Sequence, residues 1–103
     1  MPSHPTRYIV DLTGVDKIFV RFRTEKGKII SFTIQYSTKT EQRWRTVRRY
    51  DTAHNKAHID VYNFRRKGKI QQIPIEGEYG EIFTYALRKV RREYHTMKEY
   101  FYS

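Results

Sequence analysis

The chain has 103 residues, of which 31% are charged and 16% are aromatic, and its formal net charge at pH 7 is +10. This length corresponds to one domain, and the aromatic content argues against an intrinsically disordered chain, because such chains are poor in aromatic residues. The absence of cysteine excludes disulfides, thiolate nucleophiles and cysteine metal sites. No apolar run approaches the ~20 residues needed to cross a bilayer. We therefore expect a cytoplasmic protein without a membrane partner.

The first two thirds of the chain carry the pattern of β-strands. Residues 1–6 are predicted to be a disordered lead, followed by a single domain over residues 7–103. From residue 7 to residue 75, apolar residues recur at every second position, which is typical of strands. The polar run 37–42 is predicted to be a hairpin connection, and 51–56 a loop. The predicted strands cover Tyr8–Leu12, 18–23, 29–36, Arg43–Tyr50, His58–Phe64 and Ile70–Ile75.

The pattern changes after Pro74 and Gly77, which interrupt the strand period. Apolar residues then recur at spacings of three and four, which predicts an amphipathic helix over residues 79–102. At ~1.5 Å per residue this helix would be on the order of 36 Å long. That exceeds the width of a small sheet, so we expect the last turn or two to project from the domain.

The connections between the predicted strands are too short for parallel crossovers, which need about a dozen residues. The sequence therefore predicts an α+β fold, in which a five- or six-stranded antiparallel meander sheet carries one long C-terminal helix packed across one face. The residues expected to face the helix are Ile18, Val20, Phe22, Ile30, Phe32, Ile34, Ile59 and Val61.

The alternate residues are expected to form the opposite face of the sheet, rich in arginine and aromatic residues. The strand near Arg43–Tyr50 carries arginines at both phases, and we expect Arg43, Arg45 and Arg49 on this face, with Trp44, Thr46 and Arg48 behind it. Guanidinium groups bind phosphates and stack on bases, and aromatic rings stack on any base. Two other interpretations stay open, a solvated face whose arginine stems shield the rings and a surface for an acidic protein. The residues predicted to bind nucleic acid are Arg21, Arg23, Arg43, Arg45, Arg48 and Tyr62.

The densest polar segment is residues 48–62, with two histidines and two aspartates beside an arginine pair. An imidazole can exchange a proton near neutral pH, and an arginine can neutralise a phosphate during its transfer. On a strand–loop–strand hairpin, we expect Asp51 and His58 near one another and His54 at the loop tip. The candidate catalytic residues for metal-independent RNA cleavage are His58, His54, Asp51, Tyr50 and Arg49. No cofactor is predicted.

Two alternatives for this segment stay open. His54, His58 and either Asp51 or Asp60 could bind zinc or manganese, although their spacing matches no standard metal motif. In the other alternative the residues are structural, and Asp51 caps the turn with a side-chain hydrogen bond.

The run from Trp44 to His58, W-x-x-x-x-R-Y-D-x-A-H-x-x-x-H, resembles the core of the small TumE-like toxins of bacterial and archaeal toxin–antitoxin pairs. The resemblance covers about fifteen residues, and the histidines of that family follow the aspartate more closely than His54 and His58 do here. It implies an RNA-directed toxin in the style of RelE-like ribonucleases, neutralised by a cognate antitoxin.

The sequence thus supports two hypotheses. The first is a toxin-like, metal-independent endoribonuclease that acts on single-stranded or ribosome-bound RNA. The second is a non-catalytic module that binds RNA or another single-stranded nucleic acid on the same sheet face. A homodimer is left open in both.

Overall fold

Six consecutive strands form one antiparallel sheet, in the same order as in the chain, in a computed structural model that describes residues 4–103. One helix, α1 (Tyr79–Tyr102), follows the last strand and packs on the sheet, which confirms the predicted α+β meander. Among the described residues, no helix is both long and apolar enough to span a bilayer. The strands are β1 (Thr6–Thr13), β2 (Asp16–Glu25), β3 (Lys28–Thr40), β4 (Arg43–Asp51), β5 (His58–Asn63) and β6 (Gly68–Pro74).

The first three strands begin earlier and run longer than the sequence predicts, whereas β4 begins as predicted and β5 ends one residue before its predicted end. Residues 1–3 of the predicted lead lie outside the described residues, whereas Thr6 already belongs to β1 and pairs with Phe22. The predicted connection over 37–42 is wrong, because β3 continues to Thr40 and the turn is reduced to Glu41 and Gln42. Both turn residues have a positive φ, at 52° and 67°, the conformation that favoured two-residue hairpin turns require.

The core lies between β3 and α1, where rings meet edge to face. The Phe32 ring lies 5.7 Å from the Phe83 ring, and the Tyr36 ring 5.9 Å from the Tyr94 ring. Such ring pairs contribute about 0.5–1.5 kcal/mol beyond the burial of their area. Of the residues expected to face the helix, Ile18, Val20, Phe32, Ile34 and Val61 are buried, and Phe22 and Ile59 pack against the core while partly exposed.

The prediction is wrong for Ile30, which is 42% exposed. In the pairing of β2 with β3, Arg23 lies opposite Ser31 and Thr24 lies opposite Ile29, so Ile30 is an extra residue in a bulge. Ile29 packs against the core in its place.

The end of α1 does not project, contrary to the prediction. Met97 and Phe101 are buried, and the Phe64 N–H donates a 2.8 Å hydrogen bond to the Phe101 carbonyl. The Asn63 amide donates to the carbonyls of Tyr100 and Ser103. The N-terminus of α1 packs near Phe32 and the middle of α1 near Tyr36, so the helix runs in the same direction as β3. Because β3 has 13 residues, the sheet is long enough along this strand to support the whole helix.

A buried carboxylate anchors the helix to the β1–β2 turn. Asp16 accepts hydrogen bonds from the hydroxyls of Thr13 and Tyr36, both at 2.7 Å, and from the Lys98 ammonium at 3.1 Å. Burial alone would raise the pKa of Asp16, but these hydrogen bonds to the charged form outweigh it and lower the pKa on balance. Burial and the adjacent Asp16 carboxylate raise the pKa of Tyr36, so its hydroxyl stays a donor.

Candidate nucleic-acid interface

The surface of the sheet opposite α1, called the open face below, is covered by no other helix or strand of the described residues. The antiparallel register aligns its side chains in rows that run across the strands. The first row is Ile9, Phe19, Gln35, Arg49, Asp60 and Gln72, and the second is Arg7, Arg21, Thr33, Asp51, His58 and Pro74.

Cations on the open face lie against aromatic rings. The Lys17 ammonium is 3.8 Å from the centre of the Trp44 ring and 4.7 Å from that of Phe19. The Arg49 guanidinium is 5.8 Å from the Tyr62 ring. Trp44 is 40% exposed, so its ring remains accessible. The open face therefore offers positive charge and ring surface at the same places.

Arg49 is held in position by a neutral partner. Its Nε and Nη2 donate hydrogen bonds of 2.9 and 2.8 Å to Gln35 Oε1, and the Gln35 amide in turn donates to the Ser37 hydroxyl at 3.2 Å. Within the described residues, no carboxylate lies within 4.0 Å of this guanidinium, although Asp60 is its cross-strand neighbour. The positive charge of Arg49 is thus oriented but not neutralised.

His58 and Asp51 lie directly opposite each other on β4 and β5, as predicted. The His58 Nδ1 is 3.4 Å from an oxygen of Asp60, a carboxylate that is only 3% exposed. Asp60 also accepts a 2.9 Å hydrogen bond from the Gln72 amide and lies 3.7 Å from the Lys69 ammonium. The Nδ1 atom is buried and has no hydrogen-bond partner among the described residues, so the two side chains are in contact but not hydrogen-bonded.

Asp51 takes the role that the structural alternative gave it. Its Oδ1 accepts a 3.1 Å hydrogen bond from the Ala53 N–H and one of 3.5 Å from the Thr33 hydroxyl. The bond from Ala53 is a local side-chain-to-backbone turn bond at the end of β4, directly before the short 3-10 turn Ala53–Asn55, whose own N-cap residue Thr52 makes no side-chain cap bond. His54 lies in that turn with a φ of 61° and is exposed, which confirms its place at the loop tip.

Tyr50 and Arg48, both predicted site residues, lie on the helix-covered face. The Tyr50 side chain is fully buried and its hydroxyl has no hydrogen-bond partner among the described residues. Burial raises the pKa of Tyr50, while the nearby cations Arg48 and Lys89 oppose that rise. Arg48 lies opposite Val61 on the same face. The structure therefore separates Tyr50 and Arg48 from His58 by the thickness of the sheet.

A bulge at Val47 overturns the predicted position of Arg43 and Arg45. Tyr36 pairs with Arg48 and Ser37 with Thr46, so Val47 is an extra residue and the first half of β4 changes its phase. Arg45 thus lies on the helix-covered face, 5.1 Å from the Phe64 ring and paired with Glu41 at 3.4 Å. Arg43 shares this face, whereas Trp44 and Thr46 reach the open face. Phe64 packs against Phe101 near the end of α1.

The predicted positions of Arg21 and Arg23 on the open face are confirmed by their pairing with Thr33 and Ser31. Among residues 4–103, no three His, Cys, Asp or Glu side chains lie close enough together to hold a metal ion. The metal alternative for His54, His58 and an aspartate therefore has no cluster to support it.

Several residues of the open face were not predicted from the sequence, among them Arg7, Ile9, Lys17 and Trp44. Arg7 and Ile9 alternate with Tyr8 and Val10 in the short first strand, so the period-two pattern was a usable signal. Trp44 carried no such signal, since the bulge reverses its phase.

The fold and the open face define a small basic α+β protein with an exposed, cation-rich sheet surface. The chain belongs to the family described as Domain of unknown function (DUF7718), whose sequence model matches residues 2–103. No curated protein and no solved structure matches the chain. The comparisons do not link the chain to TumE-like or RelE-like toxins.

Proposed function

We propose that the protein binds single-stranded RNA on the open face of its sheet. The observation that supports this most is the contact of cations with aromatic rings, with Lys17 against Phe19 and the exposed Trp44 and Arg49 against the half-buried Tyr62. Bases of a single strand stack on such rings, and the cations beside them contact the phosphates. Because stacking needs bases that are not paired, this surface favours a single strand over a duplex.

The charge of the open face supports a polyanionic ligand. By strand register its cations are Arg7, Lys17, Arg21, Arg23, Lys28, Lys39, Arg49 and Lys69, and its acidic residues are Asp11, Glu25, Asp51 and Asp60. The carboxylates of Asp51 and Asp60 are already engaged by neighbouring groups. The remaining positive charge attracts phosphates, and binding releases their counterions.

The proposal is tested by titrating a fluorescently labelled single-stranded RNA with the protein and measuring anisotropy. The variants Trp44→Ala and Tyr62→Ala should each weaken binding by about 1–3 kcal/mol, the value of one base–ring stack. Tyr85→Ala and Tyr100→Ala are matched controls, since both tyrosines are exposed on α1, and they should bind as the unchanged protein does. Equal losses in both pairs would refute the role of the open face.

A second candidate function, a metal-independent endoribonuclease, is favoured by the contact between His58 and the buried Asp60. Nε2 of His58 would accept the proton of a ribose 2′-hydroxyl, whose oxygen then attacks the adjacent phosphorus. The bond from phosphorus to the 5′-oxygen breaks, and that oxygen takes a proton from the imidazolium. The products are a 2′,3′-cyclic phosphate and a 5′-hydroxyl.

In this second candidate Arg49 would neutralise the developing charge on the phosphate, because it lies on the strand next to His58 and on the same face of the sheet. A toxin of this kind would have an antitoxin as its partner. Incubation of labelled RNA with the protein in the presence of EDTA tests the activity, and intact RNA would exclude it.

A further inference from the structure

An apolar depression lies at the β1 edge of the open face. It has a volume of about 610 Å³ and is lined by Arg7, Ile9, Phe19, Arg21 and Thr33, with Tyr8 and Val20. Ile9 is 53% exposed, although it is a large apolar residue on an edge strand. The depression thus joins accessible apolar surface with two guanidinium groups.

The two arginines of the depression are cross-strand neighbours. Arg7 pairs with Arg21 in the register of β1 and β2, and like charges directly opposite each other destabilise a sheet. Within residues 4–103, neither guanidinium has a carboxylate within 4.0 Å. The carboxylate of the same row, Asp51, stands two strands away from Arg21 and is engaged by Thr33 and Ala53. A bound anion would relieve this repulsion.

We propose that the depression binds the phosphorylated end of an RNA strand, an inference that rests on the proposed function. The terminal base lies against Ile9 and Phe19, and the terminal phosphate lies between Arg7 and Arg21. A terminal phosphate monoester carries about −1.5 to −2 charges at pH 7, more than an internal phosphodiester. Two guanidinium groups without carboxylate partners therefore match the charge of a terminal phosphate better than that of an internal one.

The position of the depression supports an end over an internal nucleotide. β1 is an edge strand of the sheet, so a strand of RNA that crosses the open face from Tyr62 toward Phe19 reaches the border of the protein there. A free mononucleotide shares the same chemistry, a base with a phosphate monoester. The experiment therefore includes both sources.

The test compares one RNA sequence with a 5′-phosphate, with a 3′-phosphate and with hydroxyls at both ends, and adds uridine 5′-monophosphate alone. Of the two phosphorylated RNAs, the one whose phosphate lies at the end that enters the depression should bind about tenfold more tightly than the hydroxyl-ended RNA. A difference of about tenfold is what one charge-assisted contact contributes. Arg7→Ser should remove this preference, so that the phosphorylated and the hydroxyl-ended RNAs bind the variant with equal affinity. Arg65→Ser, in the exposed β5–β6 turn, is the control and should keep the preference.

The outcomes separate this inference from the proposed function. If all three RNAs bind equally, the inference is wrong and RNA binding on the open face stands. If uridine monophosphate binds in an Arg7-dependent manner while no RNA binds, the depression is a mononucleotide site, and both the RNA end and the proposed function are refuted. Backbone amide shifts of Ile9 on addition of the phosphorylated RNA, absent in Arg7→Ser, would support the inference directly.

Discussion

Arg45 and Arg49 both belong to β4 but lie on opposite faces of the sheet, because the bulge at Val47 adds one residue between them. Arg45 is paired with Glu41 and lies against Phe64, beside the end of α1. Arg49 is fixed by Gln35 on the open face and has no carboxylate partner among the described residues. Of these two arginines, Arg45 thus has a structural position and Arg49 faces the proposed ligand.

This relationship gives a direct prediction for RNA binding. Arg49→Ala should weaken the binding of single-stranded RNA by about 1.5–3 kcal/mol, the value of hydrogen bonds to a charged group. Arg45→Ala should leave the affinity unchanged and lower the free energy of unfolding by at most about 1 kcal/mol, since it loses an exposed ion pair and one ring contact. Anisotropy and urea titrations measure the two quantities. An equal loss of RNA affinity in Arg45→Ala would contradict the assignment of the faces.

A second prediction concerns the core. Phe32→Ala should lower the free energy of unfolding by about 3–5 kcal/mol, because the buried ring contacts both Tyr79 and Phe83. Ile30→Ala, in the bulge of β3, should cost only about 0.5 kcal/mol. Urea unfolding followed by circular dichroism measures both values. The bulge assignment would be contradicted if Ile30→Ala were as costly as Phe32→Ala.

A third prediction concerns acid stability. Because the pKa of Asp16 is lower in the folded protein than in the unfolded chain, its ionisation stabilises the fold above the unfolded value of about 3.9. This contribution is lost as the pH falls through the lower, folded value. The stability of Asp16→Asn should therefore fall less steeply below pH 4 and should be lower at pH 7. Thermal unfolding at several pH values measures both. Asp11→Asn, on the exposed part of β1, is the control and should keep the acid dependence.

The sequence predicted those parts of the fold that depend on local pattern. The bounds of α1 follow from the change of period after Pro74 and Gly77, and the meander follows from the short connections. The sequence also predicted that Asp51 and His58 lie near one another, because a single hairpin loop connects their strands.

The features that escaped prediction depend on bulges and on long-range docking. One extra residue at Val47 and another at Ile30 reverse the phase of a strand. The arginines at both phases of β4 leave its phase open, but they do not locate the bulge. The last turn of α1 is held by Asn63 and Phe64, which lie far from it in the sequence. The contact of His58 with Asp60 required the side-chain positions themselves.

A fourth prediction concerns the second candidate function. If the protein cleaves RNA, His58→Ala should lower the rate by about 10²–10⁴-fold, the usual contribution of a general acid or base. RNA affinity should stay close to that of the unchanged protein. His95→Ala, an exposed histidine on α1, is the matched control and should keep full activity. Equal activity of His58→Ala and the unchanged protein would exclude His58 as the catalytic group.

The dependence of RNA affinity on salt concentration measures how many phosphates the open face neutralises. The logarithm of the affinity should fall linearly with the logarithm of the salt concentration, with a slope of about −0.7 per neutralised phosphate. Replacing Arg21, Arg23 and Arg49 together by serine should reduce the slope by about two units, if each arginine neutralises one phosphate. Replacing Arg88, Arg91 and Arg92 of α1 removes the same charge from an exposed helix surface and should leave the slope unchanged. A slope that is unaffected by the open-face variant, or reduced equally by the helix variant, would contradict the account.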